Sequence, residues 1–409
     1  MQPVSNSIQI IGPIGTLCDG YAYHNRAFIK MLYNHGFNIK CISAEPGAKG
    51  VPMAEDSELI KILTEGRNKP EGDIIFNFCV PHMYTIQPNK INLGFTTWEV
   101  DKLPLQWTQQ INKLHAIFVP SEQVKKVFLD SGVQVPIYVL SYPIDMVKLE
   151  SIEPVTVSAE IPRKLTFLYS GGCTPRKNLE DLLLAYCSVF DKVDDVLLVI
   201  KTWSPNNDNN SRIGIQQSIG NLAGKISCER RPKISVVTDH LEDDQYRALV
   251  KGADVCISTS KGEGLDSFIV ESMALGKPCI VDMNMGRMDY VFSNSAYVVD
   301  TTQRPVVDSG VHLHSTKMNW YSPVYTSLTE KMIQAYHQYD TANGQKIRQN
   351  AKKNILEMYN IERVVNKFND DLKTIVNLYE QKTGKSVRAQ LQKVALAEAA
   401  RVGTGATNS

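Results

Sequence analysis

Short runs of apolar and β-branched residues recur along the chain, with amphipathic stretches between them. In the first half the runs cover 8–12, 38–43, 73–78, 92–96, 116–120 and 137–141. In the second half they cover 165–170, 196–201, 233–238, 254–258, 278–282 and 296–300. Their apolarity is continuous rather than alternating, the pattern of strands buried on both faces. Leu179, Leu182, Leu183 and Tyr186 stand at i, i+3, i+4 and i+7, one face of a helix. Residues 243–251 and 270–275 read as further helices, and 356–381 as a long amphipathic one. Strand–helix alternation predicts parallel sheets and an α/β fold.

The alternation breaks at 148–162, KLESIEPVTVSAEIP, which has two prolines, three glutamates and little periodicity. This stretch reads as a linker between two domains. The expected division is 1–155, 163–355, a helix at 356–381 crossing back to the first domain, and a tail at 382–409. In that tail 389–400 reads as helix and the end, GTGATNS, as disordered. NNDNNS at 206–211 reads as an exposed loop.

A chain of 409 residues is long enough for two cores. Lys+Arg 44 against Asp+Glu 43 leaves a net charge of +1, which gives no electrostatic case for bulk nucleic-acid binding. No apolar run approaches the roughly 20 residues of a membrane span, and the first residues lack the pattern of a signal peptide. None of the eight cysteines forms a Cys-x-x-Cys pair. Reduced thiols and a cytoplasmic location are the expectation.

In open parallel sheets ligands bind beyond the carboxyl ends of the strands. After 165–170 comes Gly171-Gly172-Cys173-Thr174-Pro175-Arg176-Lys177-Asn178. Thr174 suits a helix N-cap and Pro175 a first helical position. Arg176 and Lys177 then fall in the first turn, where the macrodipole disfavours cations. A bound anion removes that conflict, because amides, guanidinium and ammonium all converge on it. The plainer alternative is a solvated basic pair on a turn. After 254–258 comes Ser260-Lys261-Gly262-Glu263-Gly264-Leu265-Asp266-Ser267-Phe268, followed by Ile269-Val270-Glu271. Glu263 is expected in a glycine loop and Glu271 in the first turns of the next helix. Each carboxylate suits the vicinal diol of a sugar ring. The alternative is a loop charge and a helix-dipole partner.

Both segments resemble the C-terminal signature of the large retaining family of GT-B glycosyltransferases often called group one. The signature is a Glu, seven residues, a second Glu, a small-residue helix and Gly276-Lys277-Pro278. The resemblance runs from about Ile8 to about Leu378 and is specific between Tyr169 and Val281. It implies two Rossmann-like domains facing across a cleft. It also implies a nucleoside-diphosphate sugar as co-substrate, with no cofactor; Arg176, Lys177 and helix amides can meet its diphosphate and no Asp-x-Asp motif is evident, so no catalytic metal is expected. By the same resemblance Arg176 and Lys177 bind the donor pyrophosphate, Glu271 the ribose and Glu263 the transferred sugar. Gly264, Leu265, Asp266, Ser267 and Phe268 belong to the donor loop. Lys201 and His240 follow strands that flank the nucleobase. Asp266 departs from a common glycine and is expected to narrow the sugar pocket.

In the first half, Gly15 and Gly20 stand in a glycine-containing loop that lacks the spacing of a dinucleotide fingerprint. Asp19, Tyr21, His82 and Trp98 are acceptor-side candidates. Where many members carry a histidine, this chain has Thr97 and Trp98, so Glu99 is the candidate to serve the cleft. His312 and His314 form a His-x-His pair without further ligands and read as non-metal. The expected function is transfer of a hexose or pentose to a hydroxyl, and the resemblance implies retention, by front-face displacement without an assigned protein nucleophile. The acceptor expected first is a glycan or lipid-linked saccharide. A hydroxylated DNA base, a nucleotide-sugar 2-epimerase and a non-catalytic sugar-binding scaffold remain as alternatives.

Overall fold

The computed structural model describes residues 7–15, 20–44, 56–155, 165–203, 208–307 and 313–384. The first half runs β1 (Ile8–Gly12), α1 (Gly20–Asn34), β2 (Ile39–Ser43), α2 (Ser57–Gly66), β3 (Ile74–Phe78) and β4 (Ile91–Phe95). It continues through α3 (Leu105–Ile111), β5 (Ala116–Val119), α4 (Glu122–Asp130), β6 (Ile137–Val139) and α5 (Met146–Ser151). The second half opens with β7 (Leu165–Ser170), α6 (Leu179–Val189), β8 (Val196–Lys201), α7 (Asn209–Gly224), β9 (Lys233–Val237) and α8 (Asp243–Gly252). It continues with β10 (Val255–Ile257), α9 (Ser267–Ala274), β11 (Cys279–Asp282), β12 (Tyr297–Val299), β13 (Thr301–Pro305) and β14 (Asn319–Pro323). Three helices end it: α10 (Tyr325–Gln338), α11 (Ala342–Tyr359) and α12 (Ile361–Thr383).

All twelve apolar runs become strands of two six-stranded sheets, ordered β2-β1-β3-β4-β5-β6 and β12-β11-β10-β7-β8-β9. Neighbours within each sheet are parallel. The second order is that of a Rossmann sheet, and its strand order reverses between β7 and β10. The loops carrying Arg176 and Glu263 leave those two strands.

Some expectations are corrected. Lys148 lies inside α5, and Asp208 caps α7, so NNS at 209–211 is helical. The expected helix 356–381 is two helices: Leu356 belongs to α11, and Asn360 breaks the chain before capping α12. The antiparallel hairpin β13–β14 was not anticipated, because β13 is largely exposed and neither strand carries an apolar run. The possible helix at 389–400 lies outside the described residues. No helix among the described residues is long and apolar enough to cross a membrane. The seven described cysteines are free.

The chain crosses between the sheets twice, and the two crossings pair. Ile144 N donates to Tyr359 O at 2.8 Å, and Ile361 N donates to Ile144 O at 3.1 Å. α12 then packs on the first sheet: Phe368 meets Phe28, Phe76 and Phe118 at centroid separations of 5.1, 5.9 and 5.4 Å.

A second apolar cluster mixes the halves. Trp98, Val100 and Trp107 pack with Met285, Val306, Met318 and Trp320. Asp101 clasps the hairpin through Asn319, accepting from its backbone N at 2.7 Å and its Nδ2 at 2.8 Å. At the centre of this seam the 97–99 segment lies directly on the glycine loop. A Cβ on Gly262 would sit 2.0 Å from Glu99 O, and one on Gly264 would sit 1.7 Å from Thr97 Oγ1. Gly262→Ala is therefore expected to lower the urea-unfolding midpoint by the equivalent of about 1–3 kcal/mol. Gly214→Ala, in exposed α7 with nothing within 4 Å, is expected to leave it unchanged or raise it by about 0.5–1 kcal/mol. Equal effects of the two substitutions would contradict the seam.

Candidate functional site

The cleft between the sheets encloses about 380 Å³. Its floor is the reversal point of the second sheet. The segment after β7 does not enter its helix where the sequence suggested. Lys177 N and Asn178 N both donate to Thr174 O, forming a single turn, and Asn178 then adopts a left-handed conformation (φ 56) as the N-cap of α6. Arg176 and Lys177 therefore precede the helix rather than occupy its first turn. The carbonyls here are taken by the neighbouring loop: Lys261 N donates to Arg176 O at 2.8 Å, and Thr259 Oγ1 to Asn178 O at 3.0 Å. This stitching brings both cations to the glutamate of the other loop.

Lys177 Nζ donates to Glu263 Oε1 at 2.6 Å, and Arg176 Nη1 lies 3.0 Å from the same oxygen. Arg176 Nη1 also donates to Gly262 O at 2.7 Å, and Nη2 lies 3.7 Å from Glu99 Oε1. Burial by itself would raise the Glu263 carboxyl. Arg176, Lys177 and Arg287 outweigh it and hold the group well below the carboxylate range. Burial likewise opposes the Arg176 charge, and Glu263 and Glu99 overcome it, raising the guanidinium above its usual range. Glu263 is thus ionised at any ordinary pH, held as a counter-ion until a ligand competes.

Asp266 does not narrow the pocket with its charge. It enters α9 in a left-handed conformation (φ 69), where a glycine is unstrained and an aspartate is tolerated. Its Oδ2 accepts from Arg287 Nε at 3.1 Å and Nη2 at 2.9 Å, and from Ser258 Oγ at 2.8 Å. Arg287, 1% exposed, also donates to Asp282 Oδ2 and Ser260 O. The buried group Asp266–Arg287–Asp282 thus fixes the loop from below.

Glu271 departs furthest from expectation. It is 2% exposed and does not line the cleft. Tyr23 OH lies 2.7 Å from both its carboxylate oxygens, Tyr142 OH donates to Oε1 at 3.1 Å, and Arg247 Nε to Oε1 at 3.0 Å. It is a buried bridge between α1 of the first half and α8–α9 of the second. Arg26 forms a parallel bridge, its Nη2 2.6 Å and its Nε 3.0 Å from Asp243 carboxylate oxygens.

Gly264, Leu265, Asp266, Ser267, Phe268, Lys201, His240, Glu99 and Tyr21 line the cleft, together with Gly20. Lys201 Nζ donates to Thr202 O at 2.8 Å and Asp239 O at 3.0 Å, so it holds the ends of β8 and β9 together. His240 lies 3.2 Å from Glu242. Tyr21 OH pairs with Thr96 Oγ1 at 2.7 Å. Three further candidates lie elsewhere. Trp98 is 1% exposed in the seam, its Nε1 donating to Lys102 O. A large ring beside a turn packs inward, and the sequence did not separate that from stacking on a ligand. His82 is exposed on a short 3₁₀ turn, Pro81–Met83, away from the cleft lining. Gly15 contributes its carbonyl to Arg26 Nη1 at 2.5 Å and does not line the cleft. Asp19 lies outside the described residues, as does His312.

The sequence reading missed Tyr23, His24, Arg26 and Tyr246, all cleft-lining. They sit on amphipathic helices, where a tyrosine or arginine gives no motif. Trp203 lines the same cleft beside Gly172. Among the described residues no group of three or more His, Cys, Asp or Glu side chains is placed to hold a metal ion.

Residues 156–305 match the family model described as glycosyl transferases group 1. No curated protein matches the chain. Its structure is similar to sucrose-phosphate synthase from Thermosynechococcus elongatus, with a TM-score of 0.62, 14% identity, and 90% of this chain and 98% of that one covered. It is similar to a glycosyltransferase from Rickettsia africae ESF-5, with a TM-score of 0.61, 15% identity and coverages of 90% and 98%. It also resembles Anabaena Alr3699/HepE in complex with UDP and glucose, with a TM-score of 0.59, 12% identity and coverages of 90% and 100%. At these identities the likeness carries the fold. The chain has the GT-B architecture, and within it residues 156–305 are similar to the group 1 glycosyl transferases.

Proposed function

We propose that the chain transfers a sugar from a nucleoside-diphosphate sugar to a hydroxyl, with retention at the anomeric carbon. The observation that carries this reading is the convergence of Arg176, Lys177 and Glu263 at the reversal point of a Rossmann-ordered sheet, inside an interdomain cleft. A diphosphate leaving group gains charge as the glycosidic bond breaks, and fixed cations there stabilise that charge. Arg176 and Lys177 are half-buried and already oriented, so little reorganisation accompanies the reaction. Glu263, between them, is placed to accept hydrogen bonds from hydroxyls of the transferred sugar. The nucleoside lies toward the ends of β8 and β9, where Trp203 offers a ring. The bond from the anomeric carbon to the diphosphate oxygen breaks, and a bond to the acceptor oxygen forms on the same face. The acceptor proton passes to the departing diphosphate. Glu271 is left out of this scheme, because its carboxylate is already filled by Tyr23, Tyr142 and Arg247. A glycan or lipid-linked saccharide is the acceptor this reading favours.

The test begins with a panel of UDP- and GDP-sugars, each offered with saccharide, lipid-linked and hydroxymethylated-DNA acceptors. On the productive pair, Lys177→Ala and Arg176→Ala are each expected to lower kcat/KM by about a hundredfold or more, with the thermal midpoint nearly unchanged. Near-wild-type turnover in both folded variants would remove the donor-site assignment. Glu271→Ala is expected to lower the midpoint as well, since it leaves the Arg247 guanidinium without its buried partner.

Transfer is also expected to persist in excess EDTA, because Arg176 and Lys177 supply the charge that a divalent ion would otherwise bring. Loss of turnover on chelation, restored by Mg²⁺ or Mn²⁺, would contradict that part of the reading.

A further inference from the structure

Behind the wall of the cleft, both ring nitrogens of His314 are buried without a hydrogen-bond partner among the described residues. Buried polar groups are nearly always hydrogen-bonded, so two such atoms on one ring beside a carboxylate need a reason. His314 precedes β14, in the second half of the chain. Its side chain is 1% exposed and its ring stands edge-on to Trp98, with centroids 4.8 Å apart. Nε2 lies 3.9 Å from Glu99 Oε2, while Arg176 Nη2 lies 3.7 Å from Glu99 Oε1. Glu99 is therefore flanked by an imidazole on one oxygen and a guanidinium on the other. Its own side chain, 22% exposed, opens to the cleft beside Thr97. Burial, reinforced by the nearby Arg176 charge, lowers the imidazole to about 4. At neutral pH the ring is uncharged and offers one N–H donor and one acceptor.

We propose that His314 is a positioning residue acting through Glu99: with Arg176 it holds the carboxylate toward the cleft, where Glu99 receives the acceptor hydroxyl. The proposal rests on the transferase reading above. A gap of 3.9 Å is too long for a hydrogen bond, and such contacts commonly tighten only when substrate arrives. The arrangement places the acceptor's hydroxyl opposite the donor diphosphate, with Arg176 shared between them. His314 reaches no substrate itself, because Trp98 and the 97–99 backbone enclose it.

The test follows UDP release from UDP-glucose into water and into concentrated glycerol as a simple hydroxyl acceptor. His314→Phe is expected to lower kcat about tenfold or more, with KM for UDP-glucose unchanged. His314→Gln, which keeps an N–H donor, is expected to recover to within about threefold of the wild-type rate. In a Glu99→Gln background neither His314 substitution is expected to cost anything further, because positions that act as a unit are not additive. Equal losses in both backgrounds overturn the proposal, as does a His314→Phe enzyme with normal kcat. Should the Phe variant not fold, the His314→Gln cycle carries the same decision: a loss that persists in Glu99→Gln overturns it. If the wild-type chain binds neither UDP nor GDP and releases neither from the corresponding UDP- or GDP-sugars, the transferase reading falls and this role with it. If Lys177→Ala abolishes release while the His314 cycle is additive, only the His314 role falls.

Discussion

The contact on which the cleft depends is backbone against backbone. The 97–99 segment of the first half rests on Gly262 and Gly264 so closely that neither position has room for a β-carbon. Gly286 repeats the constraint one layer down, where a Cβ would meet Gly264 O at 1.8 Å. These three glycines let the donor loop and the acceptor-side wall share one surface, and Glu99 comes within reach of Arg176 as a result. The apolar seam around Trp98 and Trp320 seals the same junction. Interfaces within a chain are mobile by default unless large and apolar, and this one has the character of a core.

The electrostatic design follows from this closeness. Arg176 and Lys177 are neutralised by Glu263 and Glu99, so any anion reaching them would compete with carboxylates already in place. That keeps the buried charges paired, since an uncompensated cation at this depth would cost several kcal/mol. Beneath the loop, Arg287 balances Asp266 and Asp282 without contact to solvent. Burial pushes the Asp282 carboxyl up against the pull of Arg287. The loop is thus braced by one set of charges from below and faces the cleft with another.

Much of this was legible in the sequence. Continuous apolar runs located every strand of both sheets, because a strand covered on two faces has no choice of side chain. The Arg-Lys pair and Glu263 were legible as chemistry placed at strand ends. What escaped depends on residues far apart in sequence. The 97–99 packing spans more than 160 positions, so Gly262 and Gly264 looked like ligand-approach glycines rather than interface ones. Glu271 looked free because Tyr23 and Arg247, its partners, belong to other helices. Asp266 looked like an intruder in a glycine position, and only Arg287, 21 residues on, explains how a side chain fits there. Arg176 and Lys177 were placed in a helical turn that Asn178 interrupts, because side-chain propensity at Thr174 and Pro175 does not report the cross-loop hydrogen bonds that pull the backbone away.

The return of the chain through Ile144 and Asn360 bears on the order in which the molecule is made. Val364, Val365, Phe368, Leu372, Ile375 and Val376 of α12 complete the core of the sheet that begins at Ile8. During synthesis that sheet has its strands early and its last packing layer late, after the whole second sheet has left the ribosome. Its apolar face, including Phe28, Phe76 and Phe118, waits without α12 through that interval. Domains usually fold as units from the N-terminus during synthesis, and exposed apolar surface in such intermediates favours aggregation. In this chain the first half to be translated is the last to be finished.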